Sequence, residues 1–442
     1  MRIEDNRSYS KSEFVSAYPK LSEKLLDKTL AALAKNEGLL VFPNDFLAIE
    51  DIERDSKIVE TINESILFQN VIGFIGYEEE QLNIHSRFSK GDNNYFLHYM
   101  LQKVLNINIV NLDTQLSMEE QFYQLLMYLF PRYLNAAMRK GMFKQYQRFH
   151  HNDSNIKGAI DIPMHIKKNT PFVGKSAYST REFTQDNDLI QLVRHTIESI
   201  RVSGQNGRMI LNSSEVTKKN VSAVILATPT YRSGSKRNII IANRNMLVRH
   251  AYYTEYLGLQ KLCLMILMHR RHSFSGKSKN IHGILFDVAW LWEEYLNTLI
   301  KDHFIHPKNK KSKNGISLFS DRVRTVFPDF YNRESGVVID AKYKNLEDTA
   351  KGISREDLYQ IITYSYILKA DYAGVVFPST SSTKWNKIGI LAGYSGNVFK
   401  QSLYIPQKVG SYEVFISMIR QAESSLEKDI NRILYGNSLR KK

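Results

Sequence analysis

The chain has 442 residues, 43% hydrophobic and 24% charged, a globular balance long enough for two or three domains that each bury a core. Lys and Arg outnumber Asp and Glu by 60 to 45, and the net charge of +15 suits a polyanionic partner through counterion release without requiring one. Cys263 is the single cysteine, which excludes an intrachain disulfide and a thiolate zinc site.

The first residues, Met1 to Arg7, lack the apolar stretch of a signal peptide, so a cytoplasmic protein is expected. A helix is expected over Lys20 to Lys35, where Leu21, Leu25, Leu26, Leu30 and Leu33 recur at helical spacing. Short β-rich runs follow, Leu39 to Phe42 and Val71 to Ile75, and Leu82 to Phe88 alternates as a half-buried strand does. Tyr95 to Leu105 begins a helix. Residues 1–110 thus read as a small α+β domain.

Residues 111–275 read as helix-rich, with helices over Met118 to Arg139 and Asn187 to Ile200. Leu262 to Met268 is apolar but too short to span a bilayer, which makes Cys263 a small core residue of a buried helix. His150 and His151 are adjacent, a poor arrangement for chelating one metal, and read as surface or loop. Gly174-Lys175-Ser176 and Gly276-Lys277-Ser278 echo the end of a phosphate-binding loop. The earlier glycine of that motif is replaced by Asn169 and Arg271, so no nucleotide site is expected in this chain.

Residues 276–442 carry the chemistry. Asp287 to Ile300 has helical apolar spacing and presents Glu293 and Glu294. Lys308, Lys310, Lys311 and Lys313 form a basic loop, and Arg322 and Arg324 alternate on the expected strand leading to Pro328. These six are candidates for phosphate-backbone contact. Two apolar runs then flank Asn332-Arg-Glu-Ser-Gly336 and read as a hairpin. Asp340 and Lys342, two apart on its second strand, share a face, and Asp329 on the first strand can lie across from them. Two carboxylates can hold a hard cation, Mg²⁺ or Mn²⁺, with an ammonium beside it. Phosphodiester cleavage assisted by a metal requires such a set. Gln360 and Tyr364, at i and i+4, share a face of the next helix. Tyr412 to Tyr435 closes the chain as a helix.

Pro328-Asp329 followed by Asp340-Ala-Lys342 resembles the PD-(D/E)XK nuclease core, with Asp at the variable acidic position. Acids on the preceding helix and a Gln-xxx-Tyr helix afterwards recur in that superfamily. The chain as a whole resembles the McrC-type nuclease subunits of McrBC restriction systems, including the LlaJI-like branch. That likeness rests on Leu291-Trp292-Glu293, Pro328-Asp329, Asp340-Ala-Lys342, Gln360, Ile156 to Ile162 and Thr184 to Leu189. The first hundred residues match the family only diffusely.

The resemblance implies an α+β multidomain protein ending in a restriction-endonuclease-like α/β core with a central mixed sheet. It implies a Mg²⁺-dependent DNA endonuclease subunit of a modification-dependent or sequence-specific restriction complex. Asp329 and Asp340 would hold the metal, Glu293 would be a helix-borne ligand or its support, Lys342 would serve catalysis and Gln360 would brace the site. It further implies a McrB-like AAA+ GTPase hexamer as partner, docked through residues 1–110, and double-stranded DNA as substrate, with no membrane association. The alternatives are a stand-alone repair or recombination nuclease of the same fold and a catalytically degenerate DNA-binding scaffold. Target sequence, target modification and stoichiometry are not written in these motifs.

Overall fold

The computed structural model describes residues 1–33, 38–42, 57–90, 94–105, 118–272, 281–307, 315–321, 323–346, 353–393 and 396–436. It is a mixed α+β protein of two compact units. One comprises residues 1–115 with 277–442, and the other residues 116–276. Among the described residues no helix is long and apolar enough to cross a membrane.

The first unit contains a five-stranded sheet in the order Ile3–Glu4, Glu80–His85, Val71–Tyr77, His282–Asp287, Gly38–Phe42. The fourth strand comes from the C-terminal part of the sequence. It runs antiparallel to Val71–Tyr77 and parallel to Gly38–Phe42. Gly73 and Gly283 permit this pairing: both have positive φ, and a Cβ at either would strike the backbone of the opposite strand, Ile284 O at 2.1 Å or Phe74 O at 2.2 Å. Ile281 and Leu285 are buried in one cluster with Ile3, Phe14, Leu25, Ile66 and Ile84. Residues 1–110 and 276–442, drawn apart on sequence, are therefore interleaved in one core.

The helix expected over Lys20 to Lys35 is broken. Helices span Pro19–Leu25 and Leu30–Leu33, and Asp27 between them is left-handed at φ 55°. Tertiary pairing overrides the helical spacing there: Leu26 and Thr29 bridge to Val59 and Lys57, and Asp27 Oδ1 accepts hydrogen bonds from Thr61 N and Lys57 Nζ, each at 3.1 Å.

A second five-stranded sheet in this unit has the order Phe330–Asn332, Val337–Ala341, Tyr372–Ser379, Asn397–Tyr404, Lys384–Ile390. Its three central strands are parallel and its two outer strands antiparallel to their neighbours, a mixed sheet of the expected kind. Its centre is consequently apolar on both faces, with Ala373, Val375, Val376 and Phe377 buried in succession. Helix Val288–Ile300 follows strand His282–Asp287 directly. The Asp287 carboxylate caps it by accepting from Ala289 N at 2.8 Å and Trp290 N at 3.0 Å. Trp292 is fully buried and donates its indole N–H to Val376 O at 3.3 Å. Tyr295 and Tyr99 both donate to the buried Glu423, at 2.7 and 3.0 Å. The helix bearing Glu293 and Glu294 is thereby locked in rotation as well as position.

In the second unit, helices Met118–Met138, Asp188–Arg201 and Thr254–His272 pack around a buried Cys263, whose thiol burial pushes up to about 12. A three-stranded antiparallel sheet has the order Gln145–Asp153, Ser176–Thr184, Ala159–Ile160. His150 and His151 lie on its first strand, not in a loop. They point to opposite faces, towards Asp161 Oδ2 at 3.0 Å and Thr180 Oγ1 at 2.9 Å respectively. Gly174 precedes a strand rather than a helix, unlike a phosphate-binding loop, and Gly276 to Ser278 lie outside the described residues.

Candidate active site

The expected hairpin forms. Phe330 pairs with Ile339, and the same register sets Asp329 opposite Asp340. Gly336, at φ 66°, ends the connection where a Cβ would meet Asp371 Oδ2 at 3.0 Å. Asp329 Oδ2 accepts a 2.6 Å hydrogen bond from Ala341 N, which draws the two strands together beside the acids. The carboxylate of Asp340 is buried. Its Oδ2 lies 2.7 Å from the Lys342 ammonium, and its Oδ1 accepts no hydrogen bond from the protein.

Lys342 is anchored at both ends. Its backbone N–H donates to Val376 O at 2.9 Å, and its Nζ donates to Gln360 Oε1 at 2.9 Å. Gln360 in turn donates through Nε2 to Tyr364 Oη at 2.8 Å, within helix Arg355–Leu368 as the i, i+4 spacing predicts. Asp357 on that helix adds a carboxylate 3.6 Å from Lys342 Nζ and 3.0 Å from Lys344 Nζ, and against its burial the Ser354 hydroxyl, then the two lysines, hold its pKa below the usual range.

Glu293 and Glu294 approach a residue that the sequence reading passed over, His306. Its Nδ1 is 2.7 Å from Asp329 O and 3.7 Å from Glu293 Oε1, its Nε2 is 3.7 Å from Glu294 Oε1, and its ring stacks on Phe330 at 4.9 Å. A double backbone bridge between Ile305 and Tyr331 puts it there. Its only sequence signal was position, beside a basic loop and ahead of Pro307.

The electrostatics of the cluster show which charges meet. Burial first, then the charges of Asp340 and Glu293, push the Asp329 carboxyl well above the ordinary aspartate value. Burial also raises Glu293 to about 7, with Glu294 and Asp340 adding to the shift and His306 opposing it. For Lys342, burial works against its charge, yet Asp340, Asp329 and Asp357 hold the ammonium above its ordinary pKa. Burial likewise opposes charge on His306, which Glu294, the Asp329 carbonyl and Glu293 outweigh. The field of Glu293 thus reaches both aspartates.

Among the described residues, no group of three His, Cys, Asp or Glu side chains is arranged to hold a metal ion. A hard divalent cation does not need three, because Mg²⁺ is commonly bound through one or two carboxylates and keeps several waters. The buried Asp340 Oδ1, lacking any donor and facing a second carboxylate, fits such an ion. Of the DNA-contact candidates, Arg324 alone falls within the described residues. Lys308, Lys310, Lys311, Lys313 and Arg322 lie outside the described residues, and Arg324 is exposed just before a strand that begins at Thr325, so it does not alternate on that strand as expected.

Tyr343, next to Lys342, is gripped by the other sheet of the same unit. Arg87 donates to Tyr343 O at 2.8 Å and lies over its ring at 5.0 Å, while Ser86 Oγ is 2.6 Å from Tyr343 Oη. Arg87 is paired in turn with the fully buried Asp5, Nε to Oδ2 at 3.2 Å.

Comparison with solved structures finds similarity to a half-complex of a tetradecameric assembly of Thermococcus gammatolerans McrB AAA+ hexamers with bound McrC. That match has 17% identity, covers 98% of this chain and 99% of the other, and has a TM-score of 0.49. A second similar structure, a Thermococcus gammatolerans McrBC complex, has 14% identity, coverage of 69% and 87%, and a TM-score of 0.30. No curated protein matches the chain. The sequence model of one protein family, the McrBC 5-methylcytosine restriction system component, matches residues 66–378, well over half of the chain and including every acid and the lysine of the candidate site. The chain belongs to the McrBC 5-methylcytosine restriction system component family.

Proposed function

We propose that this chain is the DNA-cutting subunit of a McrBC-type restriction complex, a Mg²⁺- or Mn²⁺-dependent deoxyribonuclease of PD-(D/E)XK type. In this reading it works with a McrB-like AAA+ GTPase hexamer and binds no nucleotide itself. The observation that carries the proposal is the buried Asp340 carboxylate, with one oxygen on the Lys342 ammonium and the other without a donor, set across a hairpin from Asp329. A degenerate scaffold would gain nothing from keeping like charges buried together.

Asp340 and Asp329 would hold the cation, with Glu293 as ligand or support. When bound, the ion would polarise a phosphoryl oxygen and lower the pKa of an attacking water. The chain's own contribution is placement. Lys342, restrained by Asp340 and Gln360, presents a fixed positive charge to the phosphate as negative charge grows on its oxygens. Tyr364 holds Gln360 in that orientation, and the acids around Lys342 favour its charged form.

The test is Asp340→Ala, assayed for duplex cleavage with the cognate AAA+ GTPase, GTP and Mg²⁺. Cleavage should fall by at least about a hundredfold, in keeping with loss of a metal's contribution to transition-state charge. Folding and partner association should be retained. Wild-type cleavage by Asp340→Ala would refute the site, and efficient cutting of unmodified plasmid by the isolated wild-type chain with Mg²⁺ would favour the stand-alone nuclease.

A further inference from the structure

We propose that His306 is a positioning residue of the metal site, fixing the backbone from which Asp329 projects and the orientation of Glu293 and Glu294. The inference rests on the metal-site reading above and deepens it. Asp329 stands at the mouth of the hairpin, one residue before its strand begins at Phe330. Among the described residues the Ala341 N–H is the hydrogen-bond donor that its carboxylate meets, so the setting of its own peptide matters.

His306 supplies that setting. A carbonyl oxygen only accepts, so the 2.7 Å contact with Asp329 O requires the proton on Nδ1. That bond sets the ring so that Nε2 faces Glu294. The ring cannot swing away: it stacks on Phe330, its side chain is 7% exposed, and the backbone bonds Ile305 N to Tyr331 O at 2.8 Å and Tyr331 N to Ile305 O at 3.0 Å clamp the residue before it. The same ring sits 3.7 Å from an oxygen of each glutamate, close enough to attract both and too far to hydrogen-bond either directly. Two adjacent acids on a helix diverge around its axis, and a shared partner between them holds each on its own side. Glu293 is left with its field on Asp329 and Asp340, while Glu294 faces Nε2. Partners one step behind the ligands commonly tune metal sites in this way.

The experiment is calorimetric Mn²⁺ binding to the full-length chain, without DNA or activity as readout. The wild type is compared with Asp340→Ala, His306→Phe and His306→Asn, each checked for a wild-type melting temperature in chelator. His306→Phe keeps the stacking and removes both nitrogens. Its Mn²⁺ affinity should fall about tenfold or more, the usual size of a loss behind the ligands. His306→Asn places an amide N–H near the Nδ1 position and should recover most of that loss. Wild-type affinity in His306→Phe alongside lost binding in Asp340→Ala would overturn the positioning role and leave the site intact. Failure of His306→Asn to improve on His306→Phe would overturn the role of the carbonyl bond. Wild-type binding by Asp340→Ala would instead overturn the metal site itself.

Discussion

Replacing Arg87 with alanine removes the cation that pairs with Asp5 among the described residues, and that carboxylate is fully buried. Stranding a buried charge in this way costs about 3–5 kcal/mol, a large fraction of the roughly 5–15 kcal/mol that holds a domain folded. The cost should depend on pH, with a definite sign. Burial already raises the Asp5 carboxyl to about 6, with Arg87 the leading influence against it, so its native pKa lies above the unfolded value and its favourable contribution fades as pH rises through 6. Without Arg87 that native pKa climbs further. At pH 5 both proteins then hold a neutral Asp5, and the variant should lose the arginine's hydrogen bonds to Asn70 Oδ1 and Tyr343 O and its contact over the Tyr343 ring, about 1–3 kcal/mol together. At pH 8 the full penalty should appear. Urea denaturation of the wild type, Arg87→Ala and Asp5→Asn/Arg87→Ala at both pH values measures this. The double variant should recover most of the pH 8 loss, because its amide oxygen can still accept from the backbone N–H of residue 87, which Asp5 Oδ1 now meets at 2.7 Å. A pH 8 loss below about 1 kcal/mol, or an equal loss at both pH values, would refute the reasoning.

The two helix acids should separate in activity. Glu293→Ala should lower cleavage about tenfold or more, while Glu294→Ala should retain most of it, since the Glu293 charge bears on both aspartates; the reverse ranking, in a cleavage assay with partner and GTP, would exchange their roles. The isolated chain, with its net charge of +15, should bind duplex DNA weakly, with steep salt dependence and no preference between methylated and unmethylated duplexes in a titration at two salt concentrations. Strong methylation preference in that titration would place base recognition in this chain.

What was legible in the sequence was what short-range geometry dictates. The hairpin from Phe330 to Ala341, the shared face of Asp340 and Lys342, and the Gln360–Tyr364 pair depend on periods of two and of about four residues, and all three appear as expected. The long helices Met118–Met138 and Asp188–Arg201 were equally plain from their periodicity. The strand His282–Asp287 was not. A run of six with four buried positions suits several elements, and its partners lie some two hundred residues earlier, with the permissive glycines Gly73 and Gly283 meaningful only once paired. The break at Asp27 was hidden for the same reason, since nothing local to Lys20–Lys35 announces the bonds from Thr61 and Lys57.

That distinction bears on how the site works. The motif supplies the groups, but the precision of their placement comes from residues remote in sequence. His306 holds the Asp329 carbonyl from one side, and Arg87 with Ser86 holds Tyr343, the neighbour of Lys342, from the other. Each contact is made by a part of the chain without chemistry of its own, acting on a residue next to one that has it. Displacement of a ligand by about 1 Å is enough to cost a large factor in rate. The interleaving of residues 1–110 with the C-terminal segment in one core therefore places Arg87, two residues past the strand ending at His85, on the backbone beside Lys342 within a single unit.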